Sequence, residues 1–221
     1  MMRHARLTLV AASLLSLTAC FGGKKLPPTL LTLTSSAPAP ASISRIAAPG
    51  EAITIDVPVV PKELASTRVP VLVGPNAVAY IKDLLWVDAP DKLFQDLLQE
   101  TTLRTTNRVV LDPRQASLDP GLKLTGTLTR FGYDTAEGVV IVRYDGALST
   151  AGGTRVESRR FEARVPADGT AATVGPALNA AANQVATDIA KWIGGERVVI
   201  PAFLLTAIER EGGFRVKPGM T

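Results

Sequence analysis

The sequence predicts an α+β fold: a mixed, mostly antiparallel sheet with two main helices packed on one face. Three observations carry this. Residues 121–166 hold three runs of strand character joined by short turns. Residues 87–107 and 170–195 each place apolar side chains at helical spacing. Between two apolar runs, Gly74-Pro75-Asn76 supplies a compact turn, so a hairpin precedes the first helix.

The elements follow in chain order. "TLLTLT" (29–34) is a short β-type run. "SSAPAPASISRIAAPG" (35–50) is rich in Pro, Ala and Ser and predicts an extended loop. In "AITIDVPVVP" (52–61), Ile53, Ile55 and Val57 alternate before prolines close the run. Val69–Val73 and Ala77–Ile81 form the hairpin arms. In the first helix Asp88 is the expected N-cap, Pro90 suits the first turn, and Asp91 meets the positive end of the dipole. Leu93, Phe94, Leu97, Leu98 and Thr101 form its apolar face. "RVVLDP" (108–113) is a short strand.

"GLKLTGTLTRFGYD" then alternates strictly, with Leu122, Leu124, Gly126 and Leu128 on one face and Lys123, Thr125, Thr127 and Thr129 on the other. This predicts a strand with one wet side. "GVVIVRYDGALST" (138–150) and "TRVESRRFEARVP" (154–166) complete a meander. In the second helix Val174, Leu178, Ala181, Val185, Ile189 and Trp192 line one face beside an Ala-rich flank, and Gly194-Gly195 ends it.

The two ends of the chain do not belong to this fold. Arg3, His4 and Arg6 precede an apolar run from Leu7 to Ala19, the length of a secretory signal and too short to span a bilayer. Leu17-Thr18-Ala19-Cys20 has the pattern of a bacterial lipobox. On that reading Cys20 carries a diacylglycerol and, after cleavage, an N-acyl chain such as palmitate. One acyl chain holds a protein marginally; two or more hold it stably. The other reading is an ordinary secretory signal with a leftover thiol, a liability in an oxidising compartment. The organisation is therefore a lipoprotein signal peptide (1–19), a lipidated tether with a short strand and loop (20–50), an α+β domain (51–195) and a C-terminal extension (196–221), read as partly disordered. In the extension, "RVVIPAFLLTAI" is apolar, broken by Pro201 and too short to cross a membrane.

Processing decides what chemistry is left. The chain has 221 residues, one Cys and one His. Cleavage before Cys20 removes His4 and leaves the only thiol acylated. Ser-His and Cys-His catalysis then lack their parts, as do zinc sites built on His or Cys. Lys plus Arg falls from 24 to 22 without Arg3 and Arg6, against 20 acidic residues, a net charge near +2. No basic patch with interleaved aromatics suggests nucleic acid. No phosphate loop or calcium loop is present, and Gly152-Gly153 falls in a hairpin turn. Asp83, Asp88 and Asp91 around Trp86 suit turn and cap positions better than an acid/base pair. The sequence thus predicts no enzyme, no metal and no cofactor beyond the acyl chains.

Trp86 and Trp192 each stand at an end of a predicted helix. An aromatic there either closes the helix against the sheet or offers a binding hot spot. Tyr80, on the apolar hairpin, raises the same choice, because an edge hairpin can pair with another chain. These three are the candidate interaction residues.

Residues 55–103 resemble the ABC-type transport auxiliary lipoproteins, the PqiC-like group. The resemblance rests on Pro58, the Leu64–Arg68 segment, Tyr80, Trp86 and the helix after Pro90. "LTGTLTRFGYD", "SRRFEARVP" and "ALNAAANQVATDIAKWI" resemble the family's later strands and closing helix, so the likeness covers about 28–195. It implies a non-catalytic periplasmic subunit that meets an MCE-domain protein and its ABC permease and ATPase, in systems moving lipids between inner and outer membranes. Phe21 follows the lipidated Cys, where Asp would favour inner-membrane retention. By that likeness the periplasmic leaflet of the outer membrane is the expected location, with the inner membrane's periplasmic face as the alternative. Other readings are an outer-membrane assembly scaffold for β-barrels or lipopolysaccharide, and a periplasmic lipid carrier with its own cavity. The hairpin edge also suggests a homo-oligomer.

Overall fold

The computed structural model describes residues 29–119, 121–150 and 155–195. The signal peptide, Cys20 and the C-terminal extension lie outside the described residues. The fold is α+β, with seven strands in one mixed sheet and two long helices. In chain order these are β1 (Ile53–Ile55), β2 (Arg68–Gly74), β3 (Ala77–Leu85), α1 (Pro90–Thr105), β4 (Val110–Leu111), β5 (Leu122–Asp134), β6 (Val139–Ser149), β7 (Val156–Pro166) and α2 (Ala171–Ile193).

The long strand β5 is the spine of the sheet. On one edge it pairs with β6, which pairs with β7, both antiparallel over most of their length. On its other edge β1 and β2 lie end to end, both parallel to β5. Ile53–Ile55 pair with Leu122–Leu124, Val59 bridges to Thr127, and Val71–Leu72 pair with Tyr133–Asp134. Residues 53–72 therefore follow β5 as one interrupted strand, with a 3-10 turn at Lys62–Leu64 as the excursion. β3 extends the sheet beyond β2, and β4 extends it beyond β1.

The strict alternation read in β5 holds only to Leu128. A bulge between Leu128 and Arg130 inserts one residue against β6. Buried positions then change from even to odd: Leu124 and Leu128 before it, Phe131 and Tyr133 after it. One extra residue inverts every later side chain. β1 also differs from the expectation. All three of its residues are buried, because β4 and β5 flank it, and Val57 is 45% exposed beyond its end. α1 begins differently as well. Its N-cap is Ala89 with Pro90 at the first helical position, and Asp88 accepts a hydrogen bond from the Ala89 N–H instead of capping the first turn. The fixed φ of Pro90 starts the helix one residue later.

Both helices begin near Leu31. Gly175, in the second turn of α2, faces Leu31, and Trp86, just before α1, bridges to it. Their far ends also meet, at Thr106 and Gly194. The helices are therefore parallel, with both N-termini at one pole and both C-termini at the other. The predicted faces of both helices are buried, with Phe94, Leu98, Val174, Leu178, Ala181 and Ile189 fully so. Ala177, Ala181, Ala182 and Ala186 let the backbone of α2 approach closely. Each large side chain buried here contributes roughly 1.5–3 kcal/mol. The core also contains a line of aromatic rings. Trp86 lies 5.4 Å from Phe131, Phe131 6.2 Å from Phe94, and Phe94 5.6 Å from Tyr144.

Candidate interaction surfaces

Residues 29–34 read as a short β-type run and residues 35–37 as the start of an extended loop. They pack as an extended strap across the two helices. Leu31, Leu33, Ser35 and Ala37 turn inward and alternate with exposed neighbours. At one end the Leu31 N–H donates to the Leu85 carbonyl, and the Val87 N–H donates to the Leu31 carbonyl. Along α2, the Thr34 N–H donates to Asn179 Oδ1 at 2.9 Å and the Ser36 N–H to Asn183 Oδ1 at 2.7 Å. Asn183 Nδ2 donates to the Thr34 carbonyl at 2.8 Å. From α1, Arg104 donates to the Ala37 carbonyl at 2.7 Å, and the Ser35 and Thr101 hydroxyls share a bond. The two asparagines thus serve the strap's backbone as a neighbouring strand would. Asn183 is 5% exposed, so it is a buried amide with its partners supplied.

This clamp is testable. Asn183→Ala removes the hydrogen bonds to the Ser36 N–H and the Thr34 carbonyl, each worth about 0.5–1.5 kcal/mol because water can reach the exposed strap residues. The expected result is faster hydrogen exchange and proteolysis in residues 31–37 than in β6. Equal protection of the strap in variant and parent would refute the clamp.

Two of the three aromatic candidates lie inside the core. Trp86 is 2% exposed and Trp192 5%. Trp192 meets Phe161 at a tilt, 5.4 Å between ring centres, donates its indole N–H to Glu157 at 2.9 Å and has the Arg159 guanidinium over its face. Both rings close helix ends on the sheet, which leaves Tyr80 as the accessible aromatic. Tyr80 lies on β3, an outer strand of the sheet, half-buried beneath Arg68, whose guanidinium stands 3.7 Å from the ring centre. Asp83 takes φ +58° in the same strand, and β2–β3 pairing shifts between Arg68 and Pro70. That irregularity interrupts a continuous edge template.

The sheet face away from the helices carries ion pairs. Arg143 and Arg164 share Glu162, Arg164 reaches Glu137, and Arg160 donates from Nε and one terminal nitrogen to the two Asp145 carboxylate oxygens, at 2.6 and 2.9 Å. The Asp145 carboxyl is held below its ordinary range by the hydrogen bond from Arg160. Burial opposes ionisation at Glu162, but the hydrogen bonds from Arg143 and Arg164 outweigh it and lower its pKa. At the start of α2, Asp168 accepts from the Thr173 hydroxyl and from the Thr170 N–H and hydroxyl, which hold its pKa at about 2. Tyr144 is the opposite case. Burial, helped by Asp56, pushes its phenol far above the ordinary range, and its hydroxyl has no partner. These shifts belong to ion pairs, a helix start and a core ring, and none converges on a cleft with a nucleophile. Among the described residues, no three His, Cys, Asp or Glu side chains group as metal ligands.

No curated protein sequence matches this chain. Among solved structures, it is similar to protein XCC0632 from Xanthomonas campestris, a DUF330 protein. The TM-score is 0.61 at 19% identity, covering 83% of this chain and 99% of that one. A second structure, of an uncharacterised protein, gives a TM-score of 0.54 at 18% identity, covering 68% and 96%. At such identities the likeness shows the fold. The family described as ABC-type transport auxiliary lipoprotein component matches residues 31–190, beginning at the strap and ending in the last turns of α2. That span is well over half of the sequence, and the chain belongs to the ABC-type transport auxiliary lipoprotein component family.

Proposed function

We propose that the protein is a non-catalytic, lipid-anchored periplasmic subunit of an MCE-type ABC transport system that moves lipids between the inner and outer membranes. Family membership supplies the transport system, and the strap is the observation that carries the subunit reading. Eight residues lie between Cys20 and Thr29, a reach of about 30 Å when extended. Beyond that point the chain is clamped to both helices. On this reading the leash keeps the domain near the membrane, and it enters the fold beside the helix N-termini. A short leash suits a docking subunit better than a freely diffusing carrier.

The independent-carrier reading needs a lipid-sized cavity. The pocket lined by Pro70, Leu72, Val78 and Ile141 holds about 40 Å³, room for a few waters. Ligand pockets for molecules of drug size run to roughly 300–1,000 Å³. The larger hollows among the described residues are surface clefts.

Crosslinking in cells followed by detergent extraction tests the assignment. Recovery of an MCE-domain protein with the chain is expected. Repeated recovery of β-barrel or lipopolysaccharide assembly components alone would overturn it. The outer-membrane placement rests on Phe21 and has its own test. Phe21→Asp is expected to move the protein to the inner-membrane fraction of a density gradient, whereas an unchanged fraction would place the sorting signal elsewhere.

A further inference from the structure

β7 leaves one edge of the sheet open along its whole length. Among the described residues it pairs with β6 alone. That pairing runs from Val139 with Pro166 to Ser149 with Val156, without a shift. Bonds just beyond its two ends fix which backbone groups face β6. The Ala167 N–H donates to the Gly138 carbonyl, and the Thr150 N–H donates to the Arg155 carbonyl. In an antiparallel ladder such bonded pairs recur at every second residue. The odd-numbered residues of β7 therefore bond to β6. Val156, Ser158, Arg160, Glu162 and Arg164 direct their N–H groups and carbonyls outward, and Pro166 directs its carbonyl there. A long, regular edge of this kind is a template for another strand. β3 is a poorer one, because Asp83 and the shifted β2–β3 pairing interrupt it.

Charged side chains ordinarily guard an exposed edge. On β7 they are arranged to match a second copy of the same strand. With two copies antiparallel about a two-fold axis at Phe161, Arg160 of each faces Glu162 of the other, and Ser158 faces Arg164. The exposed Val156 faces Pro166, whose missing N–H falls at the end of the ladder. All of these are outward-facing residues, so the same register pairs the open backbone groups. The ion pairs within each copy continue the pattern. On β6, Arg143 stands beside Glu162 and Asp145 beside Arg160. A row across the four strands then reads Arg143, Glu162, and Arg160 and Asp145 of the second copy, with the sign alternating at every step. Moving the axis one residue either way sets Arg160 against Arg160 or Glu162 against Glu162, and like charges directly opposite destabilise a strand pair. We propose that two copies of this chain join through β7, as a two-fold dimer with one continuous sheet. A two-fold contact uses the same patch on both subunits, so it requires a self-complementary surface, and this strand has one. The dimer does not depend on which transport system the protein serves.

The test is native mass spectrometry of the full lipidated chain in a neutral detergent, over a dilution series, with hydrogen exchange on the same samples. A dimer is expected at micromolar concentration. On dilution, the amides of Ser158, Arg160, Glu162 and Arg164 should lose protection while those of Phe161 and Ala163, bonded to β6, keep theirs. Arg160→Glu sets like charges against each other at both symmetric contacts and should weaken the dimer about 10-fold. Glu162→Arg should do the same. An equimolar mixture of these two variants should dimerise as tightly as the parent, because each chain then meets the opposite charge at both positions. Ser158→Pro removes an outward N–H and no bond of the β6–β7 ladder, and it should weaken the dimer as well. Arg114→Glu, away from β7, should leave the dimer within about 2-fold of the parent. A chain that stays monomeric throughout would overturn the proposal. So would a mixture no tighter than either variant alone, or an oligomer that none of the β7 changes affects. Protection of the outward amides that is independent of concentration would also overturn it, because a segment of the same chain would then cover the edge.

Discussion

Phe94→Ala is expected to cost about 3–5 kcal/mol of folding stability, the range for emptying a large aromatic from a packed core. Phe94 is fully buried on the inner face of α1. Its ring meets Phe131 of β5 edge-on and Tyr144 of β6 at a tilt. Removing it opens a void between the helix layer and the sheet's spine and forfeits two ring contacts. Its neighbours are held by β5 and β6, so the space cannot close easily. A domain of this size is stable by only about 5–15 kcal/mol, so the loss is a large share of the total. Urea denaturation of the protein with Cys20→Ser, with and without Phe94→Ala, reads the difference at unchanged slope. A cost below 1 kcal/mol would mean that Phe94 does not fill the space between α1 and the sheet. Leu103→Ala, outside the buried face of α1, should cost well under half as much.

The elements that could be read from sequence are those with long periodic patterns. Val174 to Trp192 and Leu93 to Thr101 repeat often enough to fix a helix and its buried face. The three meander strands are long, and short turns force neighbouring pairs to be antiparallel. What escaped the pattern has local causes. The β5 bulge adds a single residue inside "LTGTLTRFGYD", and nothing in the alternation before it signals the change of parity. The parallel docking of β1 and β2 along β5 is non-local, joining residues more than 60 positions apart. The β-type run at 29–34 was legible as an extended segment, but nothing in it shows that it docks across two helices. Asn179 and Asn183 show as hydrogen-bonding groups on α2 without showing what they hold. The surface candidates fared unevenly for a similar reason. A Trp at a helix end has an apolar body and one N–H, which suits both a core edge and a hot spot. Glu157 satisfies the Trp192 N–H from a strand 35 residues away.

Gly146→Ala is expected to destabilise the domain by about 2–3 kcal/mol, although alanine is the smallest side chain that can be added. Gly126 and Gly146 face each other across β5 and β6. The Tyr144 ring lies over both of them. A Cβ on Gly146 would stand 2.7 Å from the Tyr144 ring and 3.5 Å from Trp192. A Cβ on Gly126 would stand 2.5 Å from the Tyr144 hydroxyl and would also strike the Asp145 carbonyl. The glycine pair is therefore the floor on which the tyrosine rests. A glycine that weakens a strand alone is offset by an aromatic covering the gap. Overfilling such a site typically costs 1–3 kcal/mol, because the ring must leave its rotamer. The ring cannot move freely, since Phe94 stands 5.6 Å away on its helix side. This makes the penalty conditional on Tyr144. Tyr144→Leu removes the clashing atoms, so Gly146→Ala should cost at least 1 kcal/mol less in that background than in the parent. At Gly126 the same rescue should fail, because the Asp145 backbone remains in the way. Denaturant unfolding of the two cycles separates the cases. Equal additivity at both glycines would show that the ring does not depend on this floor, and that the pair is glycine for a reason other than the tyrosine above it.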